Sequence, residues 1–208
     1  MLKKYFEPGS LFSYAGYRNF FISGLIFTLG ASAFPIALAI AVLDNGGTAS
    51  SLGLILAARA LSGTIFVLIG GVWADRLPRK WIMIGADSFR AIICLGLVII
   101  TSENLPLWAI GLLVFLMGLG DSFGAPADSA IVPSLLPDHL LPAGNVARGV
   151  VAKISTIVGP GLGGLSVAVI GADFTFALIS GFFFLGTAML LRINEKSRVV
   201  ETVKIGRA

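Results

Sequence analysis

The sequence predicts an all-α membrane protein with six transmembrane helices. Hydrophobic residues make up 56% of the 208 residues, charged residues only 12%, and the mean hydropathy is +0.94. A typical soluble domain carries about 25% charged residues. The apolar residues also form runs of about 20 residues, which is the length a helix needs to cross a hydrocarbon core about 30 Å thick. A bilayer accepts all of these runs, whereas a soluble fold would have to bury each of them.

The six spans follow one another along the chain, and polar or helix-breaking residues separate them. They cover about residues 19–43, 51–73, 81–102, 106–124, 147–170 and 172–192. Three of the connections are short turns, at Asp44, Glu103 and Gly171. The fourth and fifth spans have a long connection. Its prolines predict an irregular or short-helical surface segment: Pro126, Pro133, Pro137 and Pro142.

The positions of lysine and arginine predict the orientation. Basic residues precede the first span, lie between the second and third, flank the entry to the fifth and follow the sixth, whereas the other three turns contain none. By the positive-inside rule both termini are cytoplasmic. We expect a cytoplasmic segment over 1–18, a transmembrane bundle over 19–192, and over 193–208 a cytoplasmic tail or the start of a linker. The net charge of +4 thus reflects topology, and no basic face predicts a nucleic-acid partner.

The loop between the second and third spans combines one acid with three bases. It contains Gly71, Asp75, Arg76, Arg79 and Lys80. Topology alone explains basic residues in a cytoplasmic loop, but it does not explain the acid. The spacing Gly-x-x-x-Asp-Arg-x-x-Arg-Lys resembles the signature loop between helices 2 and 3 of the major facilitator superfamily of secondary transporters.

Two further stretches resemble the exporters of that superfamily. In the fifth span, Gly159, Pro160, Gly163 and Gly164 match the Gly-Pro-x-x-Gly-Gly core of an exporter motif. Glycines at these positions let another helix approach closely, and proline bends the helix, so simple helix packing is the alternative explanation. Residues 120–137 resemble the branch that includes enterobactin exporters and macrolide efflux proteins.

The resemblance implies a fold and a partner. It implies the amino-terminal half of a twelve-helix protein, built as two inverted three-helix repeats in the bacterial plasma membrane. A second six-helix bundle, either the carboxy-terminal half or a second copy, would complete the substrate path. It also implies that Asp75 stabilises the outward-facing state, while the loop bases make contacts that break as the bundles move. The chain departs from the family pattern at Pro78, where a glycine is usual.

Four ionisable residues within the spans are candidates for a substrate or proton path: Arg59, Asp87, Arg90 and Asp121. A charge near the bilayer centre costs at least ~2.5 kcal/mol, so each should face a partner, water or the bundle interior. Asp87 and Arg90 lie three residues apart and could neutralise each other. Arg59 has no acid at helical spacing, which leaves a functional role, snorkelling or a partner on another helix. For Asp121 the alternative is an interface residue.

No residue pattern predicts an enzyme or a cofactor. His139 is the single histidine, so no histidine cluster can hold a metal, and neither a nucleophile-base pair nor a nucleotide-binding loop is present. The first span carries an aromatic series that could line a cavity: Phe20, Phe21, Phe27 and Phe34.

These observations predict a secondary active transporter. We expect an exporter of hydrophobic drug-like or siderophore-like small molecules that works by alternating access. A sugar or metabolite importer or uniporter is one alternative. A truncated bundle with an assembly role rather than a transport role is another.

Overall fold

The computed structural model describes residues 9–103 and 106–193, apart from the side chains of residues 69–76. Within these residues the chain is helical. The helices are α1 (Ala15–Asp44), α2 (Ala49–Arg76), α3 (Arg79–Ser102), α4 (Leu107–Leu135) and α5 (Leu141–Leu191), with short 3-10 helices at Leu11–Ser13 and Asp138–Leu140. All five α-helices are long and apolar enough to cross a membrane, by length and composition.

The longest helix, α5, consists of two helices that meet at Gly171. This glycine has φ 82° and ψ 168°, a conformation that side chains with a Cβ rarely adopt. Contacts with α1 show that the first half of α5 (141–170) runs parallel to α1. The second half (172–191) runs antiparallel to it. These contacts are Ser155 with Thr28 and Gly163 with Ala33, then Gly186 with Ser23 and Phe176 with Phe34. The second half therefore folds back beside the first, and the break lies at the predicted turn.

The predicted long connection after the fourth span, irregular or short-helical, is wrong in its length. α4 continues to Leu135 with Pro126 and Pro133 inside it, and only residues 136–140 precede α5. An internal proline costs a helix roughly 3 kcal/mol. This part of α4 nevertheless buries a continuous apolar face, and in or near a bilayer a helix is the conformation that satisfies most backbone groups. The buried residues are Ala127, Ile131, Val132 and Leu135.

Two apolar clusters form the core, one towards each end of the bundle. The first includes Phe34, Leu97 and Phe176, and the second includes Tyr17 and Ile131. Asp87 and Arg90 on α3 and Asp121 on α4 lie between the parts of these helices that belong to the two clusters. The fold thus places these three ionisable side chains between two apolar clusters.

Small residues bring α2 and α4 into close contact. A Cβ built on Gly118 would lie 2.3 Å from the Arg59 carbonyl oxygen and 2.0 Å from the Ser62 hydroxyl. The Ser62 hydroxyl donates a hydrogen bond to the Phe115 carbonyl at 2.7 Å. The Ser122 hydroxyl on α4 donates one to the Gly63 carbonyl on α2 at 2.9 Å. This packing fixes the register in which Arg59 reaches across to α4.

Candidate functional site

A cavity of about 490 Å³ lies among α1, α2, α3, α4 and the first half of α5. Its wall contains three arginines and three aspartates, so their formal charges balance. These residues are Arg59, Asp87, Arg90, Asp121, Asp128 and Arg148. The remaining wall is mostly apolar and includes phenylalanines of α1. A polar cluster inside an apolar pocket is the usual composition of a small-molecule site.

Asp121 on α4 joins arginines from two other helices. The Arg59 Nε and Nη2 atoms lie 3.0 and 2.9 Å from Asp121 Oδ2, and Arg90 Nε donates to Asp121 Oδ1 at 3.0 Å. Both carboxylate oxygens therefore accept charge-assisted hydrogen bonds. This side chain is still 37% exposed, so it also faces the cavity.

Arg90 is the most enclosed charge of the group, with a side chain 5% exposed. Besides Asp121, it donates from Nη1 to Asp87 Oδ1 at 2.5 Å and from Nη2 to the Gly120 carbonyl at 2.7 Å. Glycines on α4 leave room for the guanidinium, because a Cβ at Gly124 would lie 2.5 Å from Arg90 Nη2. Burial of this charge is therefore accompanied by three acceptors.

Each of the three arginines also lies over a phenylalanine of α1. The distances from the guanidinium carbon to the ring centroid are 5.1 Å for Arg59 over Phe34, 5.1 Å for Arg90 over Phe27 and 5.2 Å for Arg148 over Phe20. Contacts of this kind are worth about 0.5–2 kcal/mol, most when water is excluded. The three rings are seven residues apart, so they line one face of α1 at intervals of about 10.5 Å.

The structure brings all four predicted path residues to one cavity. Asp87 and Arg90 form the expected pair on α3, and the interhelical partner of Arg59 is Asp121. Sequence reasoning missed Asp128 and Arg148, which form an ion pair between α4 and α5 on the same wall. The available signal was the seven-residue spacing from Asp121 to Asp128, while Arg148 had been explained by topology alone.

The signature loop is only partly within the described side chains. Those of Gly71, Asp75 and Arg76 lie outside them, and Arg79 is partly buried at the start of α3. Lys80 Nζ donates to the carbonyls of Leu191 and Ile193 at 2.8 and 2.6 Å. The last carbonyls of a helix have no partner within that helix, and a nearby lysine can donate hydrogen bonds to them. Lys80 thus connects the loop to the end of α5.

The glycine motif of the fifth span lies against α1. A Cβ on Gly159 would be 2.2 Å from Ser32 Cβ, and one on Gly163 would be 2.8 Å from the Ala33 carbonyl oxygen. Gly164 has more room, with Ile36 at 3.9 Å, and Pro160 lies within the helix. Two of the motif glycines are therefore helix-packing positions.

Comparison with known proteins identifies the family. Residues 20–206 match the family model described as Major Facilitator Superfamily. Macrolide efflux protein A of Enterococcus faecalis is 34% identical over 140 residues, which are 64% of this chain and 42% of that protein. The multi-drug resistance efflux pump PmrA of Streptococcus pneumoniae is 28% identical over 175 residues, 82% of this chain and 42% of the pump. The quinolone resistance protein NorA of Staphylococcus aureus is 29% identical over 160 residues, 74% of this chain and 37% of that protein.

The chain spans about two fifths of the length of these curated relatives. The match confirms the resemblance to this superfamily and to macrolide efflux proteins. The transporter relatives and the apolar helices of this chain show that it is a multi-pass membrane protein. The chain belongs to the major facilitator superfamily.

Proposed function

We propose that this chain forms one six-helix bundle of a secondary active exporter, which moves hydrophobic drug-like or siderophore-like molecules out of a bacterial cell. The charged, phenylalanine-lined cavity carries the proposal. Ionisable groups at membrane depth are costly, and where they line a cavity they are typical of substrate or proton paths. The names of the relatives, which refer to macrolide efflux, multidrug resistance and quinolone resistance, support export.

Transport by alternating access requires a second bundle, supplied either by more of the same polypeptide or by a second copy. The six helices would comprise two inverted repeats, α1–α3 and α4 with the two halves of α5. Exposed apolar faces on α2 and the first half of α5 support a partner. Leu54, Leu68, Ile157 and Val169 are each more than 70% exposed. Burying these faces against the second bundle would place the cavity between the two.

Efflux from cells tests the proposal. Bacteria that lack their own drug pumps would express the chain with and without a second bundle, and accumulation of a macrolide and of ethidium would be measured. We expect reduced accumulation only with the second bundle, and reversal when a protonophore collapses the proton gradient. Unchanged accumulation in both strains would refute export. Uptake driven by the substrate's own gradient would favour an importer or uniporter.

Flux measurements in liposomes, with and without the second bundle, separate transport from an assembly role. Six spans close one bundle, yet the proposed path lies between two bundles. Liposomes containing residues 1–208 alone should therefore give no flux above that of empty vesicles. Flux from a demonstrated monomer would contradict the two-bundle mechanism.

The candidate path residues and the signature loop have separate roles in this proposal. Arg59, Asp87, Arg90 and Asp121 form the substrate or proton path, whereas Asp75 helps to switch between conformations together with Gly71 and the loop bases Arg76, Arg79 and Lys80. Asp75→Asn should impair transport more than membrane insertion. Normal transport at normal expression would leave Asp75 without this role.

The proposed orientation places both termini in the cytoplasm. In a Cys94→Ala background, cysteines at Asn45, Asn104 and Asp173 should react with an impermeant maleimide added outside cells, whereas a cysteine at Leu77 should not. The reverse labelling pattern would invert the topology.

A further inference from the structure

The cavity wall contains the same three-part arrangement twice. Each unit has an aspartate on α4, an arginine paired with it and a phenylalanine of α1 beneath the guanidinium. The inner unit is Asp121 with Arg90 and Phe27, and the outer unit is Asp128 with Arg148 and Phe20. Both the aspartates and the rings are seven residues apart, on helices that cross the cavity in opposite directions. The two units are therefore about 10.5 Å apart along the same wall.

The two units differ in how firmly the carboxylate is held. Asp121 receives hydrogen bonds from two arginines, and Arg90 is anchored further by Asp87 and the Gly120 carbonyl. Asp128 has one arginine partner, Arg148. A single, partly exposed ion pair of this kind contributes little to stability. The outer pair therefore opens at lower cost than the inner cluster.

The outer unit also lies near one end of the bundle. Phe20 follows the start of α1, Asp128 precedes the end of α4, and Arg148 follows the start of α5, each by one or two helical turns. In the proposed orientation this end faces the cytoplasm. A molecule that enters the cavity from that side meets the outer unit first.

In this unit the carboxylate side chain is the more exposed partner, 37% for Asp128 against 26% for Arg148. The same order holds for the inner unit, with 37% for Asp121 against 5% for Arg90. The Asp121 and Asp128 carboxylates therefore remain partly open to the cavity. By its charge alone, a cation can replace Arg148 both near the carboxylate and over the face of Phe20.

We propose that Asp128, Arg148 and Phe20 form an entry subsite, in which an organic cation with an apolar body displaces Arg148 from Asp128. The inference rests on the proposed export function and assigns three residues to the path beyond the inner cluster. Arg148 acts here as an internal competitor of the ligand. Removing it should strengthen cation binding, whereas removing Asp128 should weaken it.

The test uses three probes of nearly the same shape and different charge: tetraphenylphosphonium, tetraphenylsilane and tetraphenylborate. Binding to residues 1–208 in nanodiscs would be measured for the unsubstituted chain, Arg148→Gln and Asp128→Asn. Lys153→Gln is a matched control, because it removes one positive charge from an exposed position on the same helix. Elution as a single folded species is checked for each variant.

We expect Arg148→Gln to bind the phosphonium roughly fivefold more tightly. We expect Asp128→Asn to bind it roughly tenfold more weakly, because the attraction between unlike charges is lost. Binding of the neutral silane should change little in either variant, and binding of the borate should weaken in Arg148→Gln. The Lys153→Gln control should behave as the unsubstituted chain does.

A purely structural ion pair predicts a different pattern. Both single variants would then bind all three probes less well, and the exchange Asp128→Arg with Arg148→Asp would restore binding. That pattern would overturn the subsite. Efflux by cells without phosphonium binding by the chain would overturn the subsite alone. Absence of both efflux and binding would overturn the proposed export function as well.

Discussion

Glycines in this bundle make two kinds of close contact, one with a neighbouring helix backbone and one with a long side chain. Where α1 meets the first half of α5, Gly159 admits a backbone, since a Cβ there would lie 2.2 Å from Ser32 Cβ and 3.1 Å from the Ser32 carbonyl carbon. On the cavity wall of α4, Gly124 admits the tip of a long side chain, the Arg90 guanidinium, at 2.5 Å. A helix backbone cannot move aside alone, whereas a guanidinium can move by changing rotamers. The first contact therefore fixes the fold, and the second fixes the geometry of a charged site.

Among the substitutions that test this comparison, removal of the buried Arg90 charge should reduce the free energy of unfolding most. Arg90→Leu leaves Asp87, whose side chain is 9% exposed, without its guanidinium partner. Breaking a buried pair in this way costs about 3–5 kcal/mol. The double variant Arg90→Leu with Asp87→Leu should regain most of that loss, because no isolated charge remains. Reversible unfolding in detergent measures both, and a double variant as unstable as the single one would show that the charge is not the cause.

Sequence reasoning predicted the parts of this site that depend on local spacing. The pair Asp87 and Arg90 follows from a three-residue interval on one helix, and the break near Gly171 follows from a cluster of turn residues. The partner of Arg59 did not follow, because its register with Asp121 is set by contacts at Gly118 and Ser122 on a distant helix. No interval along the chain encodes that register.

The missed residues have a related explanation. The sequence explains Arg148 by topology, because it lies near a predicted helix entry. Asp128 lies in a stretch predicted to be irregular or short-helical. The error came from giving Pro126 and Pro133 too much weight. The apolar face of α4 continues beyond both prolines, and its burial keeps the helix intact as far as Leu135. Asp128 therefore lies on the same helical face as Asp121.

The second largest effect should come from the backbone contact. Gly159→Ala places a methyl group against Ser32, and overpacking of this kind costs about 1–3 kcal/mol. Gly161→Ala is the matched control two residues away, where a Cβ meets nothing within 4 Å. The control should be neutral or stabilised by up to about 1 kcal/mol, because alanine favours the helix more than glycine does. Equal midpoints of unfolding for Gly159→Ala and Gly161→Ala would show that the contact with Ser32 does not limit the size of residue 159.

Substitution of Gly124 on the cavity wall should reduce stability less than substitution of Gly159, but it should change ligand binding more. In Gly124→Ala the guanidinium of Arg90 must move, and the higher helix propensity of alanine offsets part of the cost, leaving a net change below about 1 kcal/mol. Tetraphenylphosphonium binding should nevertheless change roughly several-fold, because Asp121 keeps Arg59 but loses the second of its two arginine partners. Binding and unfolding measured on one preparation test this separation. A loss of stability as large as that of Gly159→Ala would contradict it.

The smallest effect should come from a hydrogen bond that joins the two sides of the bundle near the outer unit. The Tyr17 hydroxyl donates to the Gly144 carbonyl at 2.7 Å, in a buried position that links the start of α1 to the start of α5. Interhelical hydrogen bonds in membrane proteins contribute about 0.6 kcal/mol on average, so Tyr17→Phe should cost about that much. Tyr14→Phe is the control, since no hydrogen bond of its hydroxyl occurs within the described part of the chain. Because the aromatic ring is retained in both variants, a difference in unfolding between them isolates the hydroxyl. A cost above about 2 kcal/mol for Tyr17→Phe would mean that this bond stabilises the cavity wall as strongly as the packing of Gly159 stabilises the fold.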